Sequence, residues 1–288
     1  MSSFVERATR PSGNGKKTTE RKTDIYMDIK ANEVVRLTPD FAETMMIWTG
    51  NNSGYKKGSP SVFRKDLLEQ KLVPTQTICS DWDIATATYD KKGCPLREIS
   101  DAIYLTDQYN LLTKVYDEKS DDHARNRKLY DVIKPQKSVF WQVYSRAHPT
   151  VLLIKEDGSK VAVLGRKIVN LGNKQFEELK KIYNMLEFDI TSPEEGCDVT
   201  LTVASVGGKN EYGAAPVMSK GMVVRSPFTA EEAAIEPYDL EALKFKYHRL
   251  PREKIIEALN PEFAEFLDIN VDALRTEVYD LRKKAKGK

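Results

Sequence analysis

At 288 residues the chain is long enough to bury the core of one large domain or two smaller ones, and 31% of its residues are charged. No apolar run approaches the roughly 18 residues a membrane helix needs, and the start MSSFVERATRPSGNGKK lacks the apolar stretch of a secretory signal. Three widely spaced cysteines argue against a disulfide framework, so an intracellular protein without membrane contact is expected. The formal charge of +2 conceals strong segregation, which points to a polyanionic partner for the basic stretches; a solvated charged surface accounts for any single stretch equally well.

Residues 1–23 carry six Lys/Arg against two Glu among Ser, Thr, Gly and Pro, the composition of a disordered basic arm. EVVRL (33–37) reads as a short strand ending at Pro39, and MMIWTG from Met45 as a second strand running into the loop NNSGYKKGSP. The partial stripe Val62, Leu67, Leu68 and Leu72 predicts a short helix over 61–72, with Ser61 as its N-cap. From Pro95 a stronger helical repeat runs through Leu96, Ile99, Ile103, Leu111, Leu112 and Val115, interrupted near Asp107. The polar DEKSDDHARNRK after it is expected as an exposed connection or helix end.

The character then changes to β. In IKPQKSVFWQVYSR (Ile133–Arg146), strand alternation puts Val139, Trp141 and Val143 on a core face. Phe140, Gln142, Tyr144 and Arg146 fall on the other, and that face suits neither a dry interior nor plain solvent. TVLLIKEDGSKVAVLGRKI holds Asp157–Gly158 between two apolar runs, a strong hairpin signal. NKQFEELKKIYNML reads as a helix through Phe176, Leu179, Ile182, Tyr183 and Leu186, capped by Asn173. CDVTLTVASVGGKNEYGAAPVMSKGMVVRSP predicts two strands around a Gly-rich tip, with Val199, Leu201 and Val203 on one face. From Thr229 to Asp280 thirteen acids face six bases in helical sequence, with Pro251 and Pro261 at helix starts, and LRKKAKGK closes the chain with five bases. The expected fold is α+β: an antiparallel barrel with helical insertions over 24–228, followed by an acidic helical segment with a basic tail over 229–288.

No nucleophile elbow, phosphate-binding loop or clustered His is present, so no catalytic residue and no enzyme is expected. Asp81 and Asp83 flank Trp82 in a spacing that a metal-dependent nuclease uses, but surface pairs share it. Cys79 and Cys94 stand fifteen positions apart with no His near either, which reads as incidental thiols. What recurs is a cation beside an aromatic ring, the chemistry of a single-stranded nucleic-acid groove. Tyr130 lies beside Arg127 and Lys128; Phe140 and Tyr144 lie near Lys134, Lys137 and Arg146; Tyr212 lies near Lys209. Tyr55 with Lys56 and Lys57 repeats the pattern in a glycine-flanked loop, and Arg166 and Lys167 add two cations beyond the hairpin. Any one ring is more often core than platform, Tyr55 and Tyr212 excepted, because their neighbours cannot form a core.

KGCPLREI, KPQKSVFWQV, VLLIKEDGSKV, LGRKI and FDITSPEEGCDVTLTVASVGGKNEY together resemble the helix-destabilising single-stranded DNA-binding proteins of T-even bacteriophages, over about residues 90 to 215. The resemblance implies an oligonucleotide-binding (OB-like) barrel whose cleft holds single-stranded DNA, in the host-cell cytoplasm for a phage protein. Lys137, Phe140 and Trp141 match the family's basic-aromatic-Trp segment and Tyr212 its cleft tyrosine, although alternation places Trp141 with the core valines. GKKTTERKT, with Lys16, Lys17, Arg21 and Lys22, is similar to the family's basic motif for self-association along the strand. The family's zinc cluster has a Cys-Pro-x-Cys element; here the run is Cys94-Pro95-Leu96-Arg97, so the second ligand is lost and no metal or other cofactor is expected. The acidic tail for replication or recombination partners is absent, and segment 229–280 is the substitute to consider. An RNA-binding regulator, or a scaffold protein binding through the acidic helices, stays open.

Overall fold

The structure, a computed structural model, describes residues 21–29, 32–50, 60–83, 88–89, 93–206, 209–240 and 250–286. The fold is α+β, and the described residues fall into two compact units. One comprises residues up to 44 and those from 137 to 240; the other comprises 45–136 and 250 onward. Of the acidic segment, residues 229–240 thus belong to the first unit and 250–286 to the second. Among the described residues no helix is long and apolar enough to cross a membrane.

The first unit is built on a curled, half-barrel sheet. Its strand order is β12 (Lys209–Pro216), β11 (Asp198–Val206), β3 (Glu33–Trp48), β7 (Gln136–Ser145), β10 (Lys167–Gly172) and β2 (Tyr26–Met27). β10 and β2 pair in parallel, whereas β7–β10, β3–β11 and β11–β12 are antiparallel. The two strands expected around Pro39 are one sixteen-residue strand, β3. Proline holds φ in a range that extended chain accepts, and exposed Pro39 sits where its missing N–H costs no buried pair. The hairpin forms as expected from β8 (Thr150–Ile154) and β9 (Lys160–Leu164), and β1 (Arg21–Thr23) adds to β8. Gly158 takes the left-handed conformation at its turn, at φ 81°.

The amphipathic helix α4 (Asn173–Met185) puts Phe176, Leu179 and Ile182 into one core with Val35, Leu37, Val139, Trp141, Val143, Val169, Leu171, Val199 and Leu201. Asn173 is its first residue and not its cap; Gly172 holds the cap position with no side-chain bond. The opposite face of β7 is buried too, which corrects the expectation of an open aromatic face. The stretch 226–240, with the four-residue helix α5 (Ala230–Ala233), closes over it. Gln142 Nε2 donates to the Tyr238 carbonyl at 2.7 Å and its Oε1 accepts from Tyr238 N at 2.8 Å. The Tyr144 ring meets Phe228 edge-on at 5.3 Å. Each polar group on this face has a partner, so burial is tolerated.

Arg36, on β3, is fully buried. Its Nε donates to the Ser226 carbonyl at 2.6 Å, its Nη1 to those of Leu37 and Ile190 at 2.8 Å, and its Nη2 to that of Ser192. Phe228 lies 4.6 Å from the guanidinium carbon. Gly196 completes the cage: a Cβ there would stand 2.2 Å from Nη2.

In the second unit β4 (Gln76–Ile78) pairs with the end of β3, and β5 (Trp82–Asp83) pairs with β6 (Thr88–Tyr89). The predicted helix over 61–72 shrinks to α1 (Lys65–Glu69), with Arg64 and not Ser61 at the cap position. Val62 and Phe63 are instead buried, with Phe63 bridged to Leu259 and the neighbouring Arg64 N donating to the Ala258 carbonyl at 2.8 Å. α2 (Pro95–Leu112) runs unbroken through buried Asp107, whose carboxylate accepts from Tyr116 Oη at 2.9 Å and faces His123 Nδ1 at 2.9 Å. The polar stretch after it is the helix α3 (Asp121–Ile133), capped by Ser120 and favoured by two Asp in its first turn. Pro251 caps α6 (Arg252–Ala258), Pro261 opens α7 (Pro261–Ala264), and α8 (Val271–Lys286) follows. Several acids of the C-terminal segment are paired within this unit, as in Glu265 with Arg125.

Gly196→Ala is expected to lower the first unit's stability by about 2–3 kcal/mol, because the pinned guanidinium cannot step aside without breaking charge-assisted bonds. Urea denaturation monitored by circular dichroism measures it; an unchanged midpoint would show that the cage yields.

Candidate nucleic-acid interface

The expected site residues divide sharply. Lys16, Lys17, Tyr55, Lys56 and Lys57 lie outside the described residues, as do the side chains of Arg21 and Lys209. Phe140 and Tyr144 are 0% and 1% exposed, so neither is a platform on which a base can stack. Trp141 belongs to the core, with its indole N–H donating to the Thr38 carbonyl at 2.6 Å.

Most of the basic cluster is used internally. Arg146 spans Asp198, at 2.9 Å, and Glu232. Arg166 is buried, paired with Asp40 and donating to Tyr144 Oη at 3.1 Å and to the Ile235 carbonyl at 2.9 Å. Lys167 is buried with its Nζ on the Asp24 carboxylate at 3.0 Å. A cation held this way neutralises its own carboxylate, and a phosphate gains little from it. These three are corrected from surface contacts to internal ties.

Other expected residues do reach the surface. Arg127 and Lys128 are exposed on α3. Half-buried Tyr130 packs against exposed Tyr104 at 5.4 Å, with Lys134 Nζ 5.8 Å from the Tyr130 ring and bonded to Asp131 at 2.7 Å. Tyr212 is 41% exposed on β12. Lys22 Nζ lies 5.7 Å from the Tyr238 ring.

The most developed aromatic-cationic surface includes a residue the sequence did not mark. Phe41 is 44% exposed and stacks on Trp141 at 4.7 Å with an interplanar angle of 35°. Phe176 lies 6.0 Å from both rings. Lys180 Nζ and Lys137 Nζ stand 4.5 and 5.1 Å from the centroid of buried Phe176; Lys137 also meets Glu43, and Lys180 meets Glu177 at 3.2 Å in a half-exposed pair. Strand alternation beyond Pro39 puts Phe41 on the side of Val35 and Leu37. Ending the strand at Pro39 hid that relation.

A different chemistry gathers in the second unit. Sulfurs of Cys79 and Cys94 and a carboxylate oxygen of Asp81 lie within 4.8 Å of one another, all three residues buried. A hydrogen bond between the thiols, the largest influence on both, lowers Cys94 to about 6 and raises Cys79 well above the ordinary range. Arg97 stands where the family resemblance led to a second cysteine, and its Nε donates to Asp81 Oδ2 at 2.8 Å. The Tyr89 ring lies 4.4 Å from that guanidinium. Asp83, two residues on, is exposed, so Asp81 and Asp83 do not act as a surface pair.

No protein-family model and no curated protein matches the chain.

Arg166→Met is expected to cost about 2 kcal/mol of stability, reduced from the full buried-pair value because Asp40 is about a third exposed. It should leave nucleic-acid affinity per folded molecule unchanged, as read by denaturation and by titration of the folded variant. A loss of affinity with full stability would return Arg166 to the binding surface.

Proposed function

We propose that the chain is a non-enzymatic single-stranded DNA-binding protein that coats exposed strands in replication, recombination or repair with little sequence discrimination. The observation that carries this reading is the half-exposed Phe41 ring stacked on Trp141, beside Phe176 with its two lysines. A base stacks on an exposed ring face whatever its identity, and lysines at the edge of such a face suit the phosphates that follow. The resemblance to the phage helix-destabilising family supports the same ligand, and an OB-like reading of the curled sheet goes with it. Tyr212 and the Tyr104–Tyr130 pair are further stacking candidates.

The mechanism is linkage. A protein that binds the unpaired strand better than the duplex shifts melting toward the open state by its differential affinity alone. Self-association along the strand through the basic residues of 1–23, and recruitment of replication or recombination proteins, belong to the same proposal.

The test is a fluorescence titration with oligo-dT, matched RNA and matched duplex at two salt concentrations, with Trp141→Phe identifying the reporter. Salt-dependent binding of oligo-dT, with weaker binding of duplex and RNA, is expected. Phe41→Ala should weaken binding about 5- to 150-fold, the worth of one stacked base. Lys180→Ala should reduce the salt slope by about 0.7. Equal, feeble binding of all three ligands would remove the proposal in favour of a scaffold role, and preference for the ribose strand would favour an RNA regulator.

A further inference from the structure

We propose that Glu43 is a built-in competitor of phosphate at the Phe41 surface, holding Lys137 in the free protein and yielding it to the bound strand. Given the DNA-binding reading, on which this rests, Glu43 is the residue that limits affinity and salt dependence at that surface. Phe41 and Glu43 stand two positions apart on β3, so their side chains leave the same face of the strand. Buried Ala42 and Thr44 take the other face. Lys137 lies near the start of the neighbouring β7, with its ammonium paired to Glu43 and 5.1 Å from the Phe176 centroid. Thr44 Oγ1 donates to the Ser138 carbonyl at 3.1 Å, which ties the two strands together at this level. The carboxylate is therefore held beside the cation by the sheet itself.

The two lysines of this surface are not restrained alike. Lys180 pairs with Glu177 three positions earlier on α4, and those side chains are 46% and 47% exposed. Water screens that pair, so it resists a competing phosphate little. The side chains of Lys137 and Glu43 are 28% and 22% exposed. Their attraction is less screened, and exchanging the carboxylate for a phosphate costs more.

Two effects follow at Lys137. A phosphate that reaches the ammonium breaks or shares the pair, and the displaced carboxylate repels it from close by. Both lower affinity. A cation already neutralised from within also releases fewer counterions from the strand, which flattens the salt dependence. As the strand leaves, Glu43 takes the ammonium back.

Full-length wild type, E43Q, K137Q and the double variant are titrated with oligo-dT over a range of salt, with the folding of each checked by urea denaturation. E43Q keeps the side-chain size and should bind about 2- to 5-fold tighter, the worth of one partly screened pair. Its salt slope should steepen by about 0.7. In the K137Q background the same change should gain less, because no pair remains to be broken. Acylation of Lys137 by an N-hydroxysuccinimide ester, read by peptide mass spectrometry, should be faster in DNA-free E43Q than in DNA-free wild type. Bound oligo-dT should slow it in both.

Equal gains in the two backgrounds would reduce Glu43 to a general repulsive charge and overturn the exchange. Affinity and slope unchanged in E43Q would do the same. Lys137 acylated equally fast with and without bound oligo-dT overturns the contact in the wild-type chain, with no variant needed. If no form binds oligo-dT, the DNA-binding reading falls and the exchange with it. Wild-type binding with an additive cycle overturns the exchange alone, so the two failures are distinct.

Discussion

The first unit is organised around one buried cation. Arg36 sits inside the protein with no carboxylate ion pair among the described residues, and burial, to which the charge of Arg146 adds, pushes its guanidinium below the ordinary arginine range. What holds it is a set of main-chain carbonyls from residues far apart in sequence. Those carbonyls must face inward, so the loop after α4 and the stretch after β14 (Met222–Val223) are shaped by the demand of one side chain. Asp189 and Ser192 shape the first of these locally, accepting from Thr191 N at 2.7 Å and Glu195 N at 3.2 Å. FDITSPEEGC, the most distinctive run in the chain, is thereby a structural cage. It says nothing direct about a ligand.

Charge along the chain has a similar explanation. The excess of cations around β7 suggests an outward-facing polyanion site, yet Arg146, Arg166 and Lys167 each find a carboxylate from a distant stretch. Their acids, Asp198, Asp40 and Asp24, are separated from them by tens of positions or more, so local counting sees an imbalance that folding removes. Even Lys137 and Lys180, which stand over the buried Phe176 ring beside exposed Phe41, have carboxylate partners in Glu43 and Glu177, the second pair half exposed.

The two units carry different chemistry. In the first, the buried rings of Trp141 and Phe176 carry the exposed ring of Phe41 at the edge of an apolar core. In the second, thiols, a carboxylate and a guanidinium meet in a buried group that links a strand end to a helix start.

The sequence by itself determined the local elements whose signals are local. The repeat from Pro95, the stripe of α4, the Asp157–Gly158 turn and the alternation of β11 all depend on neighbours within a few residues. Even there it misread Asp107 as a break, because the tyrosine and histidine that satisfy it come from later in the chain. The continuity of β3 past Pro39, the burial of both faces of β7 and the fate of each cation were decided by tertiary structure. A strand face is interior or exterior according to what packs on it, and the partners of Gln142 and Tyr144 come from residues about ninety positions away. The meeting of Cys79, Asp81 and Cys94 is of the same kind, since fifteen residues of chain must fold back before these three side chains become one buried cluster.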